Sequence, residues 1–126
     1  MTPVHLFNVI SQNNRWLSVR QATIAGNIAN ANTPGYKAHD VVPFEMAMEH
    51  ARLAMTASTP AHMTPAAGTV PAPGVSKAES WEVTHSGNSV SLEQELIKAG
   101  DVNRAYRLNT SVLKAFHRMF LASAKV

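Results

Sequence analysis

The sequence predicts a mainly all-α protein in which two long terminal helices pair as a coiled coil, with a short middle helix and at most a short β segment between them. Three observations lead there. Apolar residues recur every seven positions near both ends of the chain, at Ile10, Leu17, Ile24 and Ala31 and again at Leu92, Ala99, Tyr106, Leu113 and Phe120. Ser91-Leu92-Glu93-Gln94 reads as a capping box, which marks where a helix begins. Between the two periodic regions, Thr56 to Ser80 holds four of the seven prolines and almost no large apolar side chains. Such a stretch cannot bury enough surface to offset its ordering entropy, so it reads as an extended or flexible connector.

The N-terminal unit, residues 1–33, is expected to be one helix from about Pro3 to Asn32. Thr2 is placed to cap it, and Pro3 suits the first helical position because its missing N–H has no helical partner in any case. Leu6 and Ile28 join Ile10, Leu17 and Ile24 in one apolar stripe. Thr33-Pro34-Gly35 then ends the helix. Pro34 lacks a donor and pushes Thr33 toward extended geometry, while Gly35 tolerates positive φ and turns the chain onto Tyr36.

Residues 34–55 form a turn and a short helix, since Phe44, Met48, Ala51 and Met55 draw a helical face with Glu45 and Glu49 one turn apart. The connector occupies 56–86, and within it Trp81-Glu82-Val83 is expected as a short strand, with Trp81 anchoring the connector to the helices. The last unit, 87–126, is a second coiled-coil helix opening after Ser91, in which Leu96, Val102, Val112, Phe116 and Met119 accompany the heptad line. Gly100 either weakens it by about 1 kcal/mol relative to alanine or admits the close approach of another helix.

Several function classes are disfavoured by composition. With no cysteine there is neither a disulfide scaffold nor a thiolate metal site. No run of about 18 apolar residues suggests a spanning helix, and the first residues lack the basic leader and apolar core of a cleavable secretory signal. The six histidines, His5, His39, His50, His62, His85 and His117, include no pair at the four-residue spacing of a helical zinc site. Phosphate loops, dinucleotide fingerprints and nucleophile elbows are absent from the sequence, so no catalysis, metal or cofactor is expected.

The formal charge is +3, and the excess lies in residues 87–126, where Lys98, Arg104, Arg107, Lys114, Arg118 and Lys125 face three acids. A solvated helix face accounts for this. The alternative is a small basic helical module that binds nucleic acid or anionic membrane through Arg104, Arg107, Lys114 and Arg118. Two helices cover only one side of each stripe, which leaves apolar surface for partners. Asn13, Asn27 and Asn30 lie on or near the first stripe, either as surface amides or as polar residues that fix register.

Asn27-Ile28-Ala29-Asn30 followed by Thr33-Pro34-Gly35-Tyr36-Lys37 resembles the N-terminal signature of the bacterial flagellar basal-body rod protein family. The run from Asn88 to Ile97, with Arg104-Ala105-Tyr106 and Asn109, is similar to the segment that opens the last helix of those proteins. Gly26 and Gly100 depart from the family pattern and bear on local helix geometry. Distal relatives carry large inserted β domains that 126 residues cannot hold, so the resemblance points to the proximal rod. It implies a structural subunit, part of the periplasmic drive shaft and export conduit, assembling through Leu6, Ile10, Leu17, Ile24, Ile28, Leu92, Leu96, Ala99, Tyr106, Leu113, Phe116 and Phe120. The implied partners are further copies, other proximal rod proteins, the basal adaptor FliE, the export gate and the membrane ring, with neither nucleic acid nor a direct membrane span. Export through the flagellar type III system without a cleaved signal is implied as well.

Overall fold

Two helices of unequal length run side by side and carry almost everything else between their ends. The structure is a computed structural model that describes residues 3–51 and 73–124. Its elements are α1 (Pro3–Ala29), β1 (His39–Val41), α2 (Phe44–Ala51), β2 (Val75–Lys77) and α3 (Leu92–Ser123). At 1.5 Å per residue α1 is about 40 Å long and α3 about 48 Å. The mainly helical class with one small β segment is the predicted one.

The α1 heptad positions Ile10, Leu17 and Ile24 are all buried, as the seven-residue spacing requires. Leu17 and Ile24 pack on Val102, with Trp16, Ala99 and Ala105 around them. The pairing is antiparallel, because Asn109 meets Asn13 near the start of α1 whereas Glu95 meets Asn27 near its end.

On α3 the inward line differs from the expected one. Leu92, Leu96, Tyr106, Phe116 and Phe120 are exposed, as is Ile28 on α1, while Glu95 and Val102 are buried. The residues facing α1 run Glu95, Val102, Asn109, again at seven-residue spacing and rotated from the Leu92 line. Two of those three are polar, and an apolar periodicity search passes over them. Ala99, Val112 and Leu113 are half-buried beside that line.

Three further expectations are corrected. Helix α1 ends at Ala29 and not at Asn32, because the N–H groups of Ala31 and Thr33 turn to i−3 carbonyls at Ile28 and Asn30. Trp81-Glu82-Val83 is not a strand, and Trp81 is 70% exposed. The strand lies earlier, at Val75–Lys77, antiparallel to His39–Val41 with Asp40 opposite Ser76. The indole that anchors this region is Trp16, whose Nε1 donates to the Val42 carbonyl at 2.7 Å and whose ring meets Phe44 edge-on at 6.2 Å. Helix α3 does open after Ser91, yet the capping-box bonds are not made. The Ser91 hydroxyl bonds the Glu93 carboxylate at 3.0 Å, and Gln94 donates to the Glu79 carbonyl at 3.1 Å.

A methyl group at Gly100 would meet nothing within 4 Å, so among the described residues no helix of this chain approaches there. Thr2, Met55, Lys125 and the connector from Thr56 to Ala72 lie outside the described residues.

Candidate assembly interface

The signature residues converge on a polar knot that ties the end of α1 to the start of α3. Asn27 is fully buried. Its amide nitrogen donates to the His39 carbonyl at 2.7 Å and to Glu95 Oε2 at 3.0 Å, while its amide oxygen accepts from His39 N–H at 3.0 Å and from the Tyr36 hydroxyl at 3.4 Å. One side chain therefore clamps the returning strand, the motif tyrosine and the opposite helix. Glu95, 1% exposed, is bonded on its other oxygen by Lys98 at 3.1 Å. Lys98 in turn reaches Asp40 at 3.2 Å, and Arg20 grips both oxygens of Asp40 at 3.2 and 3.3 Å. A buried carboxylate is tolerated only with such partners.

Asn88 performs the second half of the tie. Its amide nitrogen lies 2.9, 2.9 and 2.8 Å from the carbonyl oxygens of Asn30, Ala31 and Thr33, and its amide oxygen accepts from Val90 N–H at 2.8 Å. The carbonyls of the turn that follows α1 are thus bonded by a residue 55 to 58 positions away in sequence.

Gly35 has φ 72° and Gly87 φ 80°, and their backbones lie together, with Gly35 N–H donating to the Ser86 carbonyl at 3.0 Å. Ser89 N–H donates to the Tyr36 carbonyl at 3.0 Å, and Lys37 Nζ to the Gly87 carbonyl at 2.8 Å. Space around Gly35 is open, so conformation alone demands glycine. Gly35→Val is expected to lose about 1–3 kcal/mol of stability from the left-handed backbone. Motility of cells carrying it should fall, and normal swimming together with an unshifted melting temperature would contradict this account.

Of the nine signature positions, Asn27, Asn30, Thr33, Gly35, Tyr36 and Lys37 take part in the knot or the turn, Asn30 Nδ2 donating to the Gly26 carbonyl at 2.8 Å. Ile28, Ala29 and Pro34 face solvent. The sequence reading missed Glu95, Asp40, Arg20 and Lys98, because no local pattern links residues on α1, β1 and α3.

The Asp40 carboxyl is held below its ordinary value. Burial pushes the other way, and the Arg20 bonds, the Val41 N–H and the charges of Arg20 and Lys98 outweigh it. A depressed carboxyl contributes stability above its unfolded pKa and loses it as pH falls through the folded one. The stability gap between the native chain and Asp40→Asn should thus be full near neutrality, begin to close as pH falls past about 4, and vanish only below the depressed pKa of the folded state. A gap that persists undiminished in acid would rule out the ion cluster as its source.

A second polar rung crosses the helices at the other end, where Asn109 Nδ2 donates to Asn13 Oδ1 at 2.7 Å and Asn14 Oδ1 at 2.8 Å. Asn13 and Asn27, like Glu95 and Asn109, are fourteen positions apart, so both rungs are met only in one register. Asn13 and Asn27 therefore make their bonds inside the chain and are not surface amides.

What remains uncovered is apolar. Leu92, Leu96 and Tyr106 lie along one flank of α3 and Ile97 and Leu108 along the opposite flank, all more than 45% exposed. Near its end Phe116, Met119, Phe120 and Leu121 are also exposed. A pair of helices that leaves this many large side chains uncovered on both flanks has the surface of an assembly subunit.

Residues 16–37, the second half of α1 and the break, match the family model for the flagella basal body rod protein. The flagellar basal body rod protein FlgB of Agrobacterium fabrum is 41% identical over 129 residues, covering 99% of this chain and 96% of that protein. This chain belongs to the flagellar basal body rod proteins. The FlgB proteins of Escherichia coli and Salmonella typhimurium are each 29% identical over 102 residues, covering 75% of this chain and 74% of theirs. The matched stretch of this chain contains Asn27, Asn30, Gly35 and Tyr36, which make the bonds and the turn of the knot. It is a structural subunit of the flagellar basal body rod.

Proposed function

We propose that this chain is a proximal rod subunit, which builds the base of the periplasmic drive shaft and export conduit. The observation that carries this is the uncovered α3, whose flanks bear Leu92, Leu96 and Tyr106 on one side and Ile97 and Leu108 on the other. A helix surrounded by like helices in a tube buries both flanks at once, and a contact that does not close on itself extends into a stack. Interlocked apolar side chains would carry torque, and the polar knot would hold each subunit rigid at the elbow where load passes between α1 and α3. The chain is a substrate of the flagellar type III export system. Its neighbours are further copies, other proximal rod proteins, the basal adaptor FliE, the export gate and the membrane ring. Among the described residues no helix is long and apolar enough to cross a membrane.

Electron microscopy of basal bodies from cells lacking the gene should show membrane rings without a rod. Intact rods in that strain would sink the proposal. Leu113→Glu separates it from the basic-module alternative. Leu113 is half-buried beside Lys114, His117 and Arg118, so a carboxylate there has cations within reach. The folded chain should lose about 1–2 kcal/mol, yet rod incorporation should fail because an apolar contact becomes charged. The exposed Arg104 and Arg107 should tolerate joint replacement by glutamine with a change of about 0–1 kcal/mol. Loss of motility in the arginine variant beside normal assembly of Leu113→Glu would instead support a phosphate-binding helix.

A further inference from the structure

The charged groups of this chain are segregated along its length. Helix α1 carries no acid at all, and α3 carries none after Asp101. Where the N-terminal half of α1 meets the C-terminal half of α3, Phe7 and Leu113 line a shallow groove together with Lys114, His117 and Arg118. Ion pairs among the described residues involve Arg20, Lys98 and Arg104, so Lys114 and Arg118 have no carboxylate partner there. The groove thus combines an apolar floor with uncompensated positive charge.

A complementary element exists on the same chain. Helix α2 packs inward through Phe44 on Trp16. Its outer face presents Glu45 and Glu49, one turn apart and both exposed, with Met46, half exposed, beside them. Neither glutamate is ion-paired among the described residues. Trp16 lies nine positions beyond Phe7, about 13 Å further along α1, so α2 does not fill its own groove.

We infer that the Phe7/Leu113 groove of one subunit receives helix α2 of a second copy, with Lys114 and Arg118 facing Glu45 and Glu49 and a methionine seated on the apolar floor. Opposite charges in register specify the partner and its orientation, and flexible methionines adapt to an irregular apolar surface. The two patches differ, so the contact is heterologous and propagates from copy to copy without closing in pairs. This inference rests on the rod-subunit reading and adds which surfaces touch.

The chain has no cysteine, which makes crosslinking clean. Basal bodies are isolated from cells expressing Glu49→Cys, Lys114→Cys or both in one chain, then oxidised. The double variant should give a ladder of linked copies, and each single variant none. A ladder from Glu49→Cys alone would mean α2 meets α2, and basal bodies containing the double variant without any ladder would mean the surfaces do not meet. Either result overturns the inference and leaves the rod reading intact, whereas absence of the native chain from basal bodies removes both. In a second arm, Lys114→Glu with Arg118→Glu should lower incorporation about tenfold or more, and adding Glu45→Lys with Glu49→Lys should restore most of it. A loss that the exchange does not rescue assigns the groove to an acidic partner other than a second copy and refutes the proposal.

Discussion

Replacement of Asn27 by leucine is expected to cost about 3–5 kcal/mol, the largest loss from any single polar side chain in the molecule. Leucine keeps the heavy-atom count and branching but is bulkier, so a packing cost in this fully buried site adds to the loss of the polar partners. Glu95 Oε2 loses its donor in a site 1% exposed, and the N–H and carbonyl of His39 both lose their partner. A domain of this size has a total stability of about 5–15 kcal/mol, so the elbow should come apart before the helices do. Urea titration of the purified chain would show the loss, and hydrogen exchange should place it at residues 36–41 and 88–95. A double-mutant cycle with Glu95→Gln should recover part of it, since the buried charge is then gone. If Asn27→Leu alone proves neutral, the clamp is not what holds the elbow.

Asn88→Ala is the second large effect, at about 2–4 kcal/mol. It strips the Asn30, Ala31 and Thr33 carbonyls of their shared donor and leaves the Val90 N–H buried without an acceptor. Its effect is expected at both chain ends together. Asn88→Asp tests the geometry, because the carboxylate keeps the Val90 bond and repels the three carbonyls. It should be as damaging as alanine or worse, and a mild Asn88→Asp would show that the three-carbonyl contact contributes little.

How far each element was legible follows from what its residues are. Ile10, Leu17 and Ile24 were readable as the inner line of α1 because they are apolar and seven apart. The break at Thr33-Pro34-Gly35 was readable because proline and glycine carry their backbone limits with them, and Gly35 does sit at φ 72°. Helix α3 was placed correctly at its start by Ser91, but its rotation was misread. The large apolar residues Leu92, Leu96, Tyr106, Phe116 and Phe120 drew the eye to a line that this chain leaves uncovered. They are free to face outward because subunit surfaces need such residues, and periodicity does not say which neighbour a stripe serves.

Local chemistry along the chain was thus enough for the helix-rich class, the two long terminal elements and the point where the first one breaks. Only the folded arrangement decides why the signature has the residues it has. Asn27 finds its partners across 9 to 68 positions of sequence and Asn88 the three carbonyls across 55 to 58, and Glu95 becomes tolerable only once Asn27 and Lys98 reach it. Hydrogen bonds carry no periodicity, and a polar residue looks the same in sequence whether water or a buried carboxylate will satisfy it. The free energy of such a group is set by what surrounds it, and that is assembled only when the two ends of the chain meet.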